Sequence, residues 1–172
     1  MVVQDTHFRP VKCKATESCK NFIRGCAQGA LPNVCFTGNT LVRTDKGLIP
    51  IMDIKVGDLV YSFDTEKEEM EYKSITKLFP NFSHQLVYIT IGRETIETTP
   101  SHPFYLDSIG WVRAGDLSIG DKLKLSSQET AAIGGIEKID FITPIAVYNF
   151  TVDGYNTYFV SELKVLVHNR CR

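Results

Sequence analysis

Residues 47–60 read GLIPIMDIKVGDLV, and residues 110–123 read GWVRAGDLSIGDKL. The second stretch aligns with the first without a gap, at a constant offset of 63 (110 minus 47). Glycine and aspartate coincide, and apolar residues coincide around them. Self-similarity within one chain is the signature of a structure built from related units. The repeat predicts a β-domain of two halves related by a pseudo-two-fold axis; the alternative is a common Gly-Asp turn that happens to occur twice.

The composition of the chain favours strands over helices. Of 172 residues, 14 are valine, 15 are isoleucine and 15 are threonine. These β-branched side chains lose rotamer freedom in a helix and pack well on a pleated sheet. Short apolar runs alternate with turn residues, and each run has the length of a strand. The predicted strands are residues 40–43, 48–51, 58–63, 86–91, 109–112, 122–125, 145–152, 157–160 and 163–167.

A different periodicity occurs ahead of the repeat. Between residues 17 and 28, apolar side chains recur at i, i+3, i+4 and i+7, at Cys19, Phe22, Ile23 and Cys26. This spacing places them on one face of a helix. We therefore predict a short amphipathic helix before the mainly β domain, followed by a helix-breaking stretch at Pro32.

The charge balance narrows the classes of partner. The chain has 19 basic and 20 acidic residues and a formal net charge of -1. It lacks the basic excess of a phosphate-binding surface, so we expect no nucleic-acid partner. No apolar run approaches the roughly 20 residues that span a bilayer, so we expect no membrane partner. Polar residues 4–7 stand where a signal peptide needs an apolar stretch, which favours a mature protein or an excised fragment.

Two clusters early in the chain carry side chains capable of chemistry. Cys35 heads the β-domain, directly after Leu31-Pro32-Asn33, and an isolated cysteine is usually a buried small hydrophobe. Thr99 and His102 lie in TTPSHPF, residues 98–104, where two prolines fix the backbone around the histidine. A lone histidine in a turn is usually solvated or hydrogen-bonded. A hydroxyl three residues before an imidazole on a rigid bend, however, is suited to holding a peptide group in a fixed orientation.

A third cluster ends the domain, where the apolar run 165–167 leads into His168 and Asn169. By itself this pair is a weak signal, and its ordinary interpretation is a frayed terminus. In chain order, however, the clusters resemble the Hint superfamily, which includes inteins, hedgehog autoprocessing domains and bacterial intein-like domains. The motifs that carry the resemblance are CFTGNT at residues 35–40, TPSH at 99–102, VYNFTV at 147–152 and VHN at 167–169.

The resemblance implies a horseshoe of β-strands with pseudo-two-fold symmetry, and it implies a reaction at Cys35. The Cys35 thiolate would attack the carbonyl carbon of Val34 and convert the peptide bond into a thioester, an N-to-S acyl shift. His102 would protonate the departing amine of Cys35. Thr99 would hold or distort the amide that is cleaved.

The resemblance also implies a reaction at the other end of the domain. The Asn169 side-chain amide would attack its own carbonyl carbon, close a succinimide and break the bond to Arg170. His168 would polarise that carbonyl or supply a proton. Family inteins use groups near Asn149 and Asn156 as well, but many have aspartate at the first position and histidine at the second. Both departures replace a titratable side chain by a neutral one.

The residue after Asn169 favours cleavage over splicing. A splicing intein has Cys, Ser or Thr there to accept the acyl group, whereas Arg170 is not nucleophilic. Cys171 is one residue further on, displaced by roughly 3.5 Å of chain, and is a possible acceptor for low-level splicing. The pattern is most similar to bacterial intein-like domains that keep His-Asn and lack the following nucleophile. Such domains occur in secreted or surface proteins and in polymorphic toxins.

These observations predict three segments. Residues 1–34 would be an N-terminal flank, 35–169 the autoprocessing domain and 170–172 a C-terminal flank. The flanking polypeptides would be the substrate. We expect a single-turnover reaction in a monomer, with no cofactor and no metal.

Three other interpretations stay open. The domain could be a non-catalytic spacer of the same fold, which would remain at full length even with excess thiol. It could be a cysteine hydrolase with a Cys35–His102 dyad, which would turn over an added substrate. It could bind zinc through Cys13, Cys19, Cys26 and Cys35. The spacing of these cysteines contains no Cys-x-x-Cys pair, which counts against a zinc site.

Overall fold

The computed structural model describes residues 34–169, which form thirteen strands and two short 3-10 turns. The strands are β1 (Phe36–Thr37), β2 (Leu41–Thr44), β3 (Gly47–Pro50), β4 (Leu59–Asp64), β5 (Glu69–Ile91), β6 (Glu94–Thr98), β7 (Pro103–Leu106), β8 (Gly110–Arg113), β9 (Lys122–Lys124), β10 (Thr130–Ala132), β11 (Gly135–Val152), β12 (Thr157–Val160) and β13 (Val165–His168). The 3-10 turns are Ile51–Asp53 and Ala114–Asp116. The predicted mainly β fold is therefore correct, and the helix predicted for residues 17–28 lies outside the described residues.

The strands pair in the order β10-β9-β7-β13-β12-β2-β4-β5-β11-β1-β6, with β3 beside β2 and β8 beside β7. Every pairing between named strands is antiparallel. This series of hydrogen-bonded strands extends through both halves of the domain because β5 is 23 residues long. It pairs with β4 near its start, with β11 along most of its length and with β6 at its end. The long strands β5 and β11 thus join the two halves.

The predicted repeat is visible in the backbone. The two 3-10 turns occupy equivalent positions, 63 residues apart (114 minus 51). Gly57 and Gly120 both have positive φ, 92° and 90°, which glycine adopts without strain. Asp58 and Asp121 each accept a hydrogen bond from the backbone N–H three residues upstream, at 2.8 Å in both cases. The coincident Gly-Asp pairs of the sequence therefore build the same turn twice.

The symmetry extends to the turn that precedes β2 and the turn that precedes β7. In the first, the N–H of Thr40 donates to the carbonyl of Thr37 at 3.0 Å. In the second, the N–H of His102 donates to the carbonyl of Thr99 at 3.2 Å. The offset here is 62 (99 minus 37). His102 and Thr40 therefore occupy matching places in the two halves.

The two long strands extend well beyond the strands predicted from the sequence. The predicted strand 86–91 is the last part of β5, and the predicted strand 145–152 is the last part of β11 (Gly135–Val152). The earlier part of β5 is largely exposed, so it lacks the regular alternation of buried apolar residues that marks a half-buried strand. Strands β1, β6, β7 and β10 were not predicted either.

The core fills the space between the paired strands. Buried aliphatic and aromatic residues from both halves contribute, including Phe36, Val60, Phe104, Phe150 and Tyr158. A second cluster surrounds Trp111 and Phe159. Among the described residues, none of the helical segments has the length and apolar character needed to cross a membrane.

Candidate active site

Strand β1 fixes the peptide group of Cys35. Phe36, the first residue of β1, lies between Thr98 of β6 and Tyr148 of β11. The N–H of Cys35 donates to Thr99 Oγ1 at 3.0 Å. Its carbonyl accepts from Thr98 Oγ1 and from the N–H of Thr99, both at 3.0 Å, and from Thr99 Oγ1 at 3.3 Å. Thr99 therefore holds the nitrogen of the Val34–Cys35 peptide bond, the bond that the resemblance implies is cleaved.

The thiol of Cys35 is in an apolar environment. It is buried in a cluster with Leu86 and Val147, against which Phe141 and Ile145 pack. Burial raises the pKa of the Cys35 thiol to about 12, because the thiolate loses its hydration. At neutral pH the sulfur is therefore a neutral thiol, and it needs a base before it can act as a nucleophile.

Asn149 contacts the carbonyl groups at both ends of the domain. Its Nδ2 donates to the carbonyl oxygen of Val34 at 2.6 Å and to the carbonyl oxygen of Asn169 at 3.1 Å. Since one nitrogen reaches both, the two oxygens are no more than 5.7 Å apart (2.6 plus 3.1 Å). The carbonyls of residues 34 and 169, far apart in sequence, thus share one donor group.

The side chain of Asn169 is also enclosed. Its backbone N–H donates to the carbonyl of Asn156 at 2.9 Å, and its Nδ2 donates to the carbonyl of Phe150. Asn156 has a positive φ of 54°, which asparagine tolerates better than most residues. Among the described residues, the buried Asn169 Oδ1 has no hydrogen-bond partner. The side-chain amide is therefore held through its nitrogen, next to its own carbonyl.

The two histidines are buried beside aromatic rings. His102 lies 4.1 Å from Phe36 between ring centroids, and neither of its ring nitrogens has a partner among residues 34–169. Burial lowers the pKa of His102 well below its usual value, and the charge of nearby His168 lowers it further. His168 packs edge-on against Trp111, at 5.1 Å between centroids. His102 is thus neutral at physiological pH, because burial disfavours its protonated form.

The sequence profile of the pretoxin HINT domain matches residues 41–170, more than half of the chain. The chain belongs to this family. Its structure is also similar to the bacterial intein-like domain of Clostridium thermocellum, with 38% identity, a TM-score of 0.76 and coverage of 78% of this chain and 98% of that one. This Hint domain is therefore a member of a family of self-processing domains, as the motifs predicted.

More distant relatives agree with the fold. A DnaB intein from Synechocystis sp. PCC 6803 is 18% identical, with a TM-score of 0.67, and the match covers 80% of this chain and 99% of that one. Warthog protein 1 of Caenorhabditis elegans is 28% identical over an alignment of 123 residues, and the match covers 66% of this chain. The Hint domain spans only about a quarter of the length of that curated relative, 25%.

The structure places most of the predicted site residues in one buried region. Contacts described above link Thr99 to Cys35, and they link Asn149 and Asn156 to Asn169. His102 and His168 are close enough for their charges to interact. The possible acceptor Cys171, like three cysteines of the alternative zinc site, lies outside the described residues. Within the described part of the chain, no group of three or more potential metal-ligating side chains occurs.

Two contacts of the site were not predicted from the sequence. Thr98 donates to the carbonyl of Cys35, and Tyr158 donates to Asn149 Oδ1 at 3.0 Å. Thr98 is next to a predicted residue, so its position in the motif was the available signal. Tyr158 gave no comparable signal, because all four residues of β12 are buried and the strand has no polar face.

Proposed function

We propose that this Hint domain cleaves its own chain at the bond before Cys35 and at the bond after Asn169. The segments would be an N-terminal flank of residues 1–34, the domain itself and a C-terminal flank from residue 170. The observation that carries the proposal is the hydrogen bonding of Asn149 Nδ2 to the carbonyls of Val34 and Asn169. A donor at a carbonyl oxygen stabilises the negative charge that develops there during nucleophilic attack.

At the N-terminal junction, the Cys35 sulfur attacks the carbonyl carbon of Val34. The thiol proton passes to neutral His102 and then to the Cys35 nitrogen as the C–N bond breaks. The products are a Val34 thioester on sulfur and a free amine on Cys35. Thr99 keeps that nitrogen in position through its hydrogen bond. Water then hydrolyses the thioester, giving a carboxylate on Val34 and regenerating the thiol.

At the C-terminal junction, the Asn169 side-chain nitrogen attacks the carbonyl carbon of the same residue. The new C–N bond closes a succinimide, the bond to Arg170 breaks, and the Arg170 nitrogen gains the proton that Asn169 loses. The Phe150 carbonyl holds the attacking nitrogen. Asn149 supports the carbonyl oxygen. His168, the neighbouring residue, is proposed to deliver the proton to the leaving amine.

A second outcome, low-level splicing, has one observation in its favour. The two carbonyl oxygens share a donor, so the thioester at Val34 would form close to the C-terminal junction. Cys171 could accept the acyl group from it. After cleavage at Asn169, transfer from sulfur to the freed Arg170 amine would join residues 1–34 to residues 170–172. Arg170 itself cannot accept the acyl group as a side-chain nucleophile, so cleavage is the main proposed outcome.

Intact-mass spectrometry of the full chain tests both reactions. With added small thiol, the expected products are residues 1–34, 35–169 and 170–172, with a succinimide at Asn169. Cys35→Ala should lose only the N-terminal cleavage, and Asn169→Ala should lose only the C-terminal one. An uncleaved wild-type chain would contradict the proposal and favour the spacer. A fragment in which 1–34 is joined to 170–172 would identify splicing.

Asn149 variants test the shared donor. Asn149→Ala removes both hydrogen bonds, so both cleavages should slow by on the order of tenfold or more. Asn149→Asp would place carboxylate oxygens against two carbonyl oxygens. Its protonated form has a single O–H donor, so cleavage should recover only in part as falling pH protonates the carboxyl group. If Asn149→Ala cleaves at the wild-type rate at both junctions, the amide is not part of the mechanism.

A further inference from the structure

Tyr158 carries a polar group into the most enclosed part of the site. The side chain is fully buried on β12, and its ring lies 4.3 Å from that of Phe150 and 6.2 Å from that of Phe36, between centroids. A hydroxyl buried among aromatic rings is costly unless it is hydrogen-bonded. Its partner is Asn149 Oδ1, at 3.0 Å. Packing alone would be served by phenylalanine, so the hydroxyl needs a separate explanation.

The contacts of the Asn149 amide determine which way it faces. Oδ1 accepts from the Tyr158 hydroxyl and from the N–H of Phe150 at 2.8 Å. Nδ2 donates to the carbonyls of Val34 and Asn169. Rotating the amide by half a turn would set Oδ1 against two carbonyl oxygens and Nδ2 against the N–H of Phe150. These three contacts therefore fix the orientation, and in it the Tyr158 hydroxyl faces Oδ1 and acts as a donor.

We propose that Tyr158 is a positioning residue that holds the Asn149 amide toward both cleaved bonds and strengthens it as a donor. This inference rests on the proposed function. A hydrogen bond donated to the oxygen of an amide polarises the group, so its N–H bonds become better donors. The effect would reach the Val34 carbonyl and the Asn169 carbonyl together, because one nitrogen serves both.

The hydroxyl remains a donor throughout the working pH range. Burial raises the pKa of Tyr158 well above its ordinary value, and the charge of a Cys35 thiolate would raise it further. Ionisation of Cys35 during the first reaction therefore does not remove the proton that Tyr158 shares with Asn149. The contact can persist through both reactions.

A double-mutant cycle on the full chain tests the inference. Tyr158→Phe keeps the ring and removes the hydroxyl, and we expect both cleavages to slow about three- to tenfold. In an Asn149→Ala background the same substitution should have no further effect, because the group it positions is gone. Tyr61→Phe, an aromatic residue of the second core cluster, is the matched control and should leave both rates unchanged.

Three kinetic results would overturn the inference. An equal slowing by Tyr158→Phe in both backgrounds would assign the hydroxyl a purely structural role. An unchanged rate in the otherwise wild-type chain would show that the hydroxyl is dispensable. Slowing of only one cleavage would show that Tyr158 does not act through the shared amide nitrogen.

A second measurement does not depend on cleavage. In the Cys35→Ala/Asn169→Ala chain, which keeps both junctions intact, the side-chain NH2 resonances of Asn149 report the strength of its hydrogen bonds. Adding Tyr158→Phe should shift both protons upfield and speed their exchange with solvent. Unchanged resonances would overturn the inference. If the resonances shift but the wild-type chain does not cleave, the contact between Tyr158 and Asn149 is supported and the proposed function is rejected.

Discussion

At the scale of single residues, the neutral amide of Asn149 has a specific advantage over a carboxylate. It offers two N–H donors to two carbonyl oxygens while its own oxygen is occupied by Tyr158 and the backbone of Phe150. An ionised aspartate has no donor, and a protonated aspartate has only one. As the sequence indicated, asparagine replaces a titratable side chain here, and the structure shows that this neutral side chain reaches both carbonyls.

His102 should make the stability of the domain depend on pH. Its pKa is lowered in the folded state, whereas the unfolded side chain titrates near 6.5. The unfolded state therefore binds more protons below about pH 6.5, so stability is complete above that pH and decreases as the pH falls toward the folded-state pKa. Between pH 7.5 and 5.5 we expect a loss of about 1 kcal/mol in the free energy of unfolding from this residue.

Urea unfolding of the Cys35→Ala/Asn169→Ala chain measures this effect without interference from cleavage. His102→Gln in the same chain is the comparison, because glutamine does not titrate. The difference between the two chains should shrink as the pH falls from 7.5 to 5.5. A constant difference would mean that His102 is not held in its neutral form.

At the scale of elements, the Gly-Asp turns contribute the same backbone geometry to each half. Gly57 and Gly120 have nearly equal positive φ, and a Cβ at either position would meet no atom within 4 Å. Substitution by alanine therefore adds backbone strain and no steric clash. We expect Gly57→Ala and Gly120→Ala to cost about 1–2 kcal/mol each.

Thermal or urea unfolding would check this pair of substitutions. The two costs should agree within about 0.5 kcal/mol and should add in the double variant, because the sites are in separate halves. Unequal costs would show that the turns are equivalent in shape but not in energy. Gly38 is a useful contrast, since a Cβ there would lie 3.0 Å from the Met52 sulfur.

The sequence predicted the elements whose signals are local. The repeat gave the paired turns because glycine and aspartate are required at defined positions of that turn. The early part of β5 was missed because its pairing with β4 and β11 depends on backbone hydrogen bonds between distant segments, which leave no apolar pattern. Likewise, motif order pointed to Cys35 and Asn169 as candidates, whereas the sharing of one amide by two carbonyls depends on their three-dimensional arrangement.

At the scale of the whole molecule, the pairing of β5 with β11 joins segments that are far apart in the sequence. The turn around Gln128 is exposed and separates β9 from β10, whereas β11, β12 and β13 pair with strands from the first part of the chain. We expect two co-expressed fragments, residues 1–128 and 129–172, to associate and to cleave at both junctions. Co-purification followed by intact-mass spectrometry measures this.

The result depends on where the chain is cut. A break at exposed Glu68, between β4 and β5, serves as a comparison, because the short first fragment would then lack β5 and every later pairing partner. We expect poorer association for that pair. Fragments cut after Gln128 that fail to co-purify would show that the pairing of β11 with β5 requires a continuous chain.

The matching turns of Thr37–Thr40 and Thr99–His102 place a threonine and a histidine at equivalent positions of the two halves. If the domain arose by duplication, its ancestor was a half-sized chain that assembled with a second copy of itself. Such an assembly would have carried two identical bends, with the same side chains in both. In the single chain an imidazole occupies one bend and a threonine the other. A continuous chain can thus carry different side chains at two equivalent positions of a symmetric scaffold, which an assembly of identical copies cannot.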